Sequence, residues 1–327
     1  MSLSDRFELV EFADGSALLV DLDSGEIRRL NRSASWIAGR LLAGAAPPSA
    51  IEKALADRFG ITVERARSDI TSVADALRRE AEPPRPRSVH FAREDKAFVL
   101  VANGVRLALL DPEGGWVEPL PAEPGAARHA LSCALPHVLV LGRVPVLHAA
   151  AVEVEGRCIA FAGATGAGKT TLAECFARSG ERLVSRDLVL LDLEGSPPRV
   201  RALAEAWLEG WMEDALAQGD TTGRIATASL AGIPSRPSTE LAEVWWLDAS
   251  RRRGSALVLA ALPGPDALVH LLENSFAEIA TKAAFSDALA WSRALVESTP
   301  VLEATLPDGL GALAAALSDR LAARKRG

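Results

Sequence analysis

The sequence predicts an α/β chain in two parts: a small α+β unit of three strands and three helices, then a larger α/β unit built around a glycine-rich loop. Three observations predict it. Residues 1–82 begin as short alternating apolar runs and continue at helical spacing. Residues 83–87 read PPRPR. Residues 161–174, FAGATGAGKTTLAE, place three glycines, a lysine and two adjacent threonines between an apolar run and a helix-like segment.

In the first part, FELVEF (7–12), SALLVD (16–21) and EIRRL (26–30) alternate like strands, broken at Asp14-Gly15 and Ser24-Gly25. Asn31 stands where a helix N-cap belongs, and Ala34, Ile37, Ala38, Leu41 and Leu42 follow at helical spacing. Gly44 and the prolines at 47–48 end that helix. Ile51, Leu55 and Phe59 mark a second helix, and Val63 to Leu77 a third. The prolines of 83–87 lack amide donors and force extended backbone, which reads as a linker. In the second part, AFVLVA (97–102) and VRLALLD (105–111) pair across Asn103-Gly104 as a hairpin, and a helix-like run spans about 125–141. VLHAAAVEV (146–154) and RCIAFAG (157–163) flank Glu155-Gly156 as another hairpin, and the second of these strands feeds the glycine loop.

Bulk properties narrow the function. The 327 residues suffice for two or three domains, and 49% apolar with 24% charged residues is ordinary globular composition. A net charge of −7, spread in both signs, gives no general attraction to nucleic acid or an anionic membrane. The basic runs at Arg251–Arg253 and Arg320–Arg326 read as solvated charge. Cys133, Cys158 and Cys175 are odd in number and lack C-x-x-C spacing, so they read as core residues and not as a disulfide framework or zinc site. No charge-free stretch reaches the roughly 18 residues of a spanning helix. The N-terminus shows no secretory pattern, and a cytoplasmic protein is expected.

Gly163-x-x-x-x-Gly168-Lys169-Thr170 matches the phosphate-binding P-loop pattern in full, in the strand–loop–helix context it needs. Gly163, Gly166 and Gly168 let the backbone curl so that successive amides point at one phosphate group. The helix that follows adds its positive end. Lys169 is expected to reach the β- and γ-phosphates, and the Thr170 hydroxyl to ligate Mg²⁺. Gly163, Thr165, Gly166, Ala167, Gly168, Lys169, Thr170 and Thr171 are the expected nucleotide contacts. Asp192 and Asp248, each following an apolar strand, are further metal-binding candidates or plain strand termini. Tryptophans 207, 211, 245, 246 and 291 read as core fillers, and His90, His129, His137 and His270 have no metal-ligand spacing.

Two family resemblances add to this reading. D-x-x-S-G-x-I-x-x-L-N-x-x-A-x-x-I over 21–37, with the helix containing Asp69, resembles the PqqD-like recognition elements of ribosomally made, modified peptides. That resemblance implies a winged-helix-like fold whose third strand and third helix hold a leader peptide by strand addition. The groove would then run along Glu26 to Leu30, facing Ile70, Val73 and Leu77. The alternatives are a DNA-binding winged helix and a domain that merely helps dimerisation, and the acidic balance of residues 1–82 weighs against DNA.

The segments LHAAAVEVEGRCIAFAG (147–163) and GERLVSRDLVLLDLEG (180–195) resemble the HPr kinase/phosphorylase catalytic domain. His148 matches the family's histidine before the loop, and Asp187 the second member of its acidic pair. Arg186 stands where the family has the first aspartate. The resemblance implies an ATP- and Mg-dependent kinase. Asp187 would act as base and metal ligand with Thr170, with Lys169, His148 and Arg186 as further catalytic candidates and homo-oligomers as an expected assembly. The combined expectation is a peptide-recognition domain (1–82), a linker (83–87) and a P-loop kinase domain (88–327) that phosphorylates a Ser or Thr of a bound precursor peptide. Two alternatives stay open: a nucleotide-gated peptide-binding pseudokinase, which Arg186 favours, and a kinase acting on a folded carrier protein.

Overall fold

A computed structural model describes residues 3–22, 25–44, 48–78, 89–94, 97–102, 105–110, 114–117, 132, 135–137, 139–140, 142–201, 203, 209–210, 213, 224–225, 238–248, 256–276, 282–309 and 311–317. The chain forms two units, Met1–Arg85 and Pro86–Gly327. The PPRPR stretch, the Asn103-Gly104 turn, Cys133, His129, Trp207, Trp211 and both basic runs lie outside the described residues.

The first unit opens with a one-turn helix, α1 (Leu3–Arg6), that the apolar pattern did not foretell. Strands β1 (Phe7–Glu11), β2 (Ala17–Asp21) and β3 (Ile27–Leu30) then pair antiparallel in that order. Gly15 turns β1 into β2 with φ +81°, and the Asp14 carboxylate accepts from the Ser16 amide at 2.9 Å. The central strand β2 is buried throughout, and its one carboxylate, Asp21, is matched by Arg6 at 2.6 Å. Helices α2 (Arg32–Leu42), α3 (Pro48–Phe59) and α4 (Val63–Arg78) complete the unit. Asn31 caps α2 by accepting from the Ala34 amide at 3.0 Å. The helices meet through Ile37, Ile51, Leu55, Ala66 and Ile70, while Leu77 packs on Phe7 and Leu19 of the sheet.

The described residues of the second unit form two sheets. One is antiparallel: β4 (Val89–Glu94), β5 (Ala97–Ala102), β6 (Val105–Leu110) and β7 (Gly114–Val117) pair in sequence. The other carries the glycine loop. Its hairpin, β8 (Val146–Val154) and β9 (Arg157–Gly163), turns at Glu155-Gly156 and leads into α5 (Lys169–Arg178). There follow β10 (Arg182–Ser185), β11 (Leu188–Asp192) and β12 (Arg199–Arg201), then β13 (Arg224–Ile225), which joins the first sheet beside β7. The unit continues with β14 (Thr239–Leu247), β15 (Val258–Ala261), α6 (Gly264–Glu273), α7 (Lys282–Ser298) and β16 (Val301–Thr305).

The topology centres on β9. It pairs antiparallel with β8 on one edge and parallel with β14 on the other. Strand β14 pairs parallel with β16, which carries β15 antiparallel. On its other edge β8 pairs with β11 at its start and with β10 at its end. Strand β12 bridges β11 to the beginning of β14, so the pairings β8–β9–β14–β12–β11 close on themselves.

Burial on both faces explains why β9 reads as an unbroken apolar run. One face (Leu147, Ala149, Ala151, Ala160, Ala162) meets Ala267 and Leu271 of α6 and Leu295 of α7. The other (Ala150, Val152, Phe161, Trp245) meets Leu172 and Phe176 of α5. Phe161 stacks on Phe176 at 5.5 Å and lies 5.4 Å from Trp245. All three are essentially inaccessible, and each buried aromatic contributes about 1.5–3 kcal/mol. That packing clamps the loop helix to the strand that feeds it. Cys158 and Cys175 are buried and free, as core residues should be. Trp245 fills the core, whereas Trp246 is half-buried and stacks on His270 with ring centroids 3.9 Å apart.

Candidate functional site

The glycine loop begins where β9 ends. Gly163 has φ +148°, and a Cβ there would sit 2.4 Å from the Leu247 carbonyl oxygen of β14. Only glycine lets β9 and β14 approach this closely at the mouth of the loop. Gly166 (φ +84°) and Gly168 (φ +100°) take left-handed backbone over open space. The Ala167 amide donates to the Ala164 carbonyl at 3.0 Å and closes the turn. Gly168 caps α5 without a side-chain hydrogen bond, so no side chain of the cap takes up the first-turn amides. A cradle of this kind fits a phosphate group: positive-φ glycines leading into a helix N-terminus.

Lys169 is the one cation of the loop, and it is only 6% exposed. Its Nζ donates to the carbonyls of Gly163 at 2.7 Å and Ala164 at 3.3 Å, so the side chain folds back over the loop. Burial pulls its pKa down, and the charge of Asp187 partly restores it. Thr165, Gly166, Thr170 and Thr171 are exposed, with Ala167 and Gly168 half-buried. Thr170 Oγ1 donates to the Arg186 carbonyl at 3.3 Å, which ties α5 to the turn between β10 and β11.

Strand pairing brings the remaining residues in. Ala149 of β8 pairs with Ala162 of β9, so His148 stands beside Gly163. His148 in turn pairs with Leu188 of β11, and the Ala149 amide donates to the Asp187 carbonyl at 3.0 Å. His148 Nε2 lies 3.0 Å from Asp187 Oδ1. An ionised carboxylate only accepts, so in that pair the proton sits on Nε2. This hydrogen bond holds the Asp187 carboxyl below its usual range, against the opposing effect of partial burial and with help from Lys169. His148, Lys169, Thr170, Arg186 and Asp187 thus converge from β8, α5 and the β10–β11 turn. Arg186 turns aside: its Nη1 pairs with Glu174 Oε1 at 2.5 Å, one helical turn beyond Thr170.

The two other carboxylates separate. Asp192 lies four residues along β11 from the residue paired with His148, about 13 Å at strand rise, and its carboxylate is taken by Arg201 at 2.7 Å. It is a structural ion pair. Asp248 follows Leu247, which pairs with Gly163, so it stands at the loop end of the sheet on the side away from His148. There it borders a cavity of about 360 Å³ with Trp246, Leu262, Asp266, His270 and Glu303. Among the described residues no group of three His, Cys, Asp or Glu side chains is placed to hold a metal ion. Thr170 and Asp187 are two oxygen donors, which suits Mg²⁺, an ion that takes one or two protein ligands and completes its shell with phosphate and water.

Two neighbours had no sequence signal. Phe276 takes a left-handed φ of +57° just past α6 and lays its ring 5.4 Å from that of His148, while the His148 amide donates to the Asn274 carbonyl at 2.7 Å. Glu174 reads in sequence as one more charge on an amphipathic helix.

In the first unit, β3 pairs with β2 alone among the described residues and stands at the edge of the sheet. The Arg28 side chain links β3 to α4: its Nη1 donates to the Ala76 carbonyl of α4 at 2.5 Å, and its Nη2 pairs with Glu26 at 2.7 Å. Of the residues expected to face a groove here, Val73 is half-buried, whereas Ile70 and Leu77 belong to the unit's core.

Residues 16–81 match the family model of Coenzyme PQQ synthesis protein D (PqqD). The first unit is PqqD-like. Among solved structures, the Hpr(Ser) kinase/phosphatase from Coxiella burnetii matches 55% of this chain and 95% of its own, at 13% identity and a TM-score of 0.27. No curated protein matches the chain. In the PqqD-like unit, the Arg28 guanidinium holds the Glu26 carboxyl below its ordinary range, and Arg65 and Asp69 pair at 3.0 Å on α4. No described helix is long and apolar enough to cross a membrane.

Proposed function

We propose that the chain is an ATP- and Mg-dependent kinase that phosphorylates a Ser or Thr hydroxyl of a ribosomally made precursor peptide. In this reading residues 1–82 hold the peptide's leader, 83–87 link, and 88–327 catalyse, in the cytoplasm. The observation that carries it is the convergence of the 163–171 loop with the His148–Asp187 pair. A phosphate cradle and an oriented carboxylate are the two parts that phosphoryl transfer to a hydroxyl requires. The PqqD-like match supports a peptide as the substrate.

Bound Mg-ATP would supply the transferred group. The loop amides and the N-terminus of α5 would seat its β-phosphate. Lys169, released from the Gly163 and Ala164 carbonyls, would reach the γ-phosphate, and the Thr170 hydroxyl with Asp187 would hold the ion. Asp187 would orient the acceptor hydroxyl and take its proton. A carboxylate kept ionised by His148 is a weak base, but phosphoryl transfer depends chiefly on positioning and charge stabilisation. His148 fixes the carboxylate. Tethering the leader on β3 would raise the local concentration of the acceptor residue without a tight acceptor pocket.

Arg186 favours one second reading, a nucleotide-gated peptide binder that transfers nothing. A single experiment separates the two: γ-phosphate-labelled ATP and Mg²⁺ with the protein and a small-peptide extract, with Lys169→Ala alongside. Label on a peptide that requires Lys169 supports the kinase. Nucleotide that binds but never gives up its γ-phosphate to an acceptor refutes it and leaves the gated binder.

A further inference from the structure

Arg186 and Glu174 form an ion pair that the sequence motifs do not account for. The Arg186 backbone is anchored at the mouth of the loop, where its carbonyl accepts from Thr170. Its guanidinium instead points back along α5. Thr170 and Glu174 are four residues apart on α5, about one helical turn, and share one helix face, so the ion pair holds the guanidinium about one turn along α5 from Thr170. Both side chains are accessible, at 61% for Arg186 and 38% for Glu174, so the arm is held by this pair and not by packing. A second arginine waits on the same carboxylate: Arg178 Nη2 lies 3.8 Å from Glu174 Oε2.

We propose that Glu174 is a specificity-determining residue that parks Arg186 away from the cradle until a nucleoside triphosphate arrives. This rests on the reading that a nucleotide binds at 163–171. A γ-phosphate offers two negative charges and planar, bidentate acceptance to a guanidinium, whereas Glu174 offers one charge in water. The longer anion wins the arm. A diphosphate has no group at that position, so Arg186 stays on Glu174. When the arm leaves, Arg178 takes up the freed carboxylate, and no uncompensated charge results. The pair therefore reads the length of the phosphate chain. The neighbouring Asp187 is set independently through His148.

The test measures binding without turnover. Isothermal titration with Mg²⁺ and either ADP or the non-hydrolysable β,γ-imido analogue of ATP is run on the full chain, Glu174→Gln and Arg186→Gln. An exposed ion pair contributes little to folding, so both variants keep the fold. Glu174→Gln removes the competitor and is expected to tighten the triphosphate analogue by about two- to five-fold while leaving ADP unchanged. Arg186→Gln is expected to lower the triphosphate-to-diphosphate preference by about ten-fold. Equal effects of Glu174→Gln on both nucleotides, a weakened triphosphate, or an unchanged preference in Arg186→Gln would overturn the parking role while leaving the nucleotide site intact. Failure of the unaltered chain to bind either nucleotide would overturn the site, and the parking role with it.

Discussion

His137 makes the acid stability of the second unit predictable. Its ring is 6% exposed and meets the edge of Phe276 at 5.4 Å. Burial disfavours the charged imidazolium and lowers its pKa from 6.5 to about 3. Between those values the unfolded chain binds a proton that the folded chain refuses, so stability falls as pH drops. The loss starts near pH 6.5, grows by about 1.4 kcal/mol per pH unit, and stops near pH 3. At pH 5, 1.5 units below the unfolded value, this one residue costs about 2 kcal/mol. With a urea slope of about 1–3 kcal/mol per molar, the midpoint moves by about 1 M. The assay is urea unfolding at pH 7, 6 and 5 for the unaltered chain and His137→Leu, reading the transition of the second unit. Titrations common to both proteins cancel in the difference. The unaltered chain should lose about 2 kcal/mol more than the variant between pH 7 and 5. Parallel losses would refute the argument, because they would mean the imidazole accepts a proton within the fold.

Further expectations follow from the loop and its surroundings. Gly163→Ala drives a methyl into the Leu247 carbonyl and strains a positive φ; it should cost about 1–3 kcal/mol in unfolding experiments and weaken nucleotide binding as well. A fully stable variant would mean that β9 and β14 can part without cost. Removing the His148 donor in His148→Leu should raise the Asp187 pKa, so Mg-nucleotide binding, measured against pH, should fail at a higher pH on its acid side. An unmoved acid limb would show that His148 does not hold the carboxylate.

Much of the fold was legible because its signals are local. The short apolar runs FELVEF and SALLVD, the Asn31 cap and the Glu155-Gly156 turn each act within a few residues, and the structure places strands, cap and turn there. The glycine spacing of 163–168 was equally legible, since backbone conformation at each glycine is a property of the residue itself. The short helix α1 was missed because four residues carry too little periodicity.

What the sequence alone determined is therefore the inventory: two units, a strand–loop–helix, and one lysine and one threonine in the glycine-loop pattern. Only the tertiary structure decided which carboxylate belongs with them. Asp187, Asp192 and Asp248 look alike as charges beside apolar runs. Strand register separates them, because β11 runs antiparallel to β8 and carries Asp192 away to Arg201 while leaving Asp187 against His148. Glu174 and Phe276 were invisible for the same reason. Each acts on a residue 12 or more than 100 positions away, and such contacts are set by how strands and helices pack, not by any spacing along the chain.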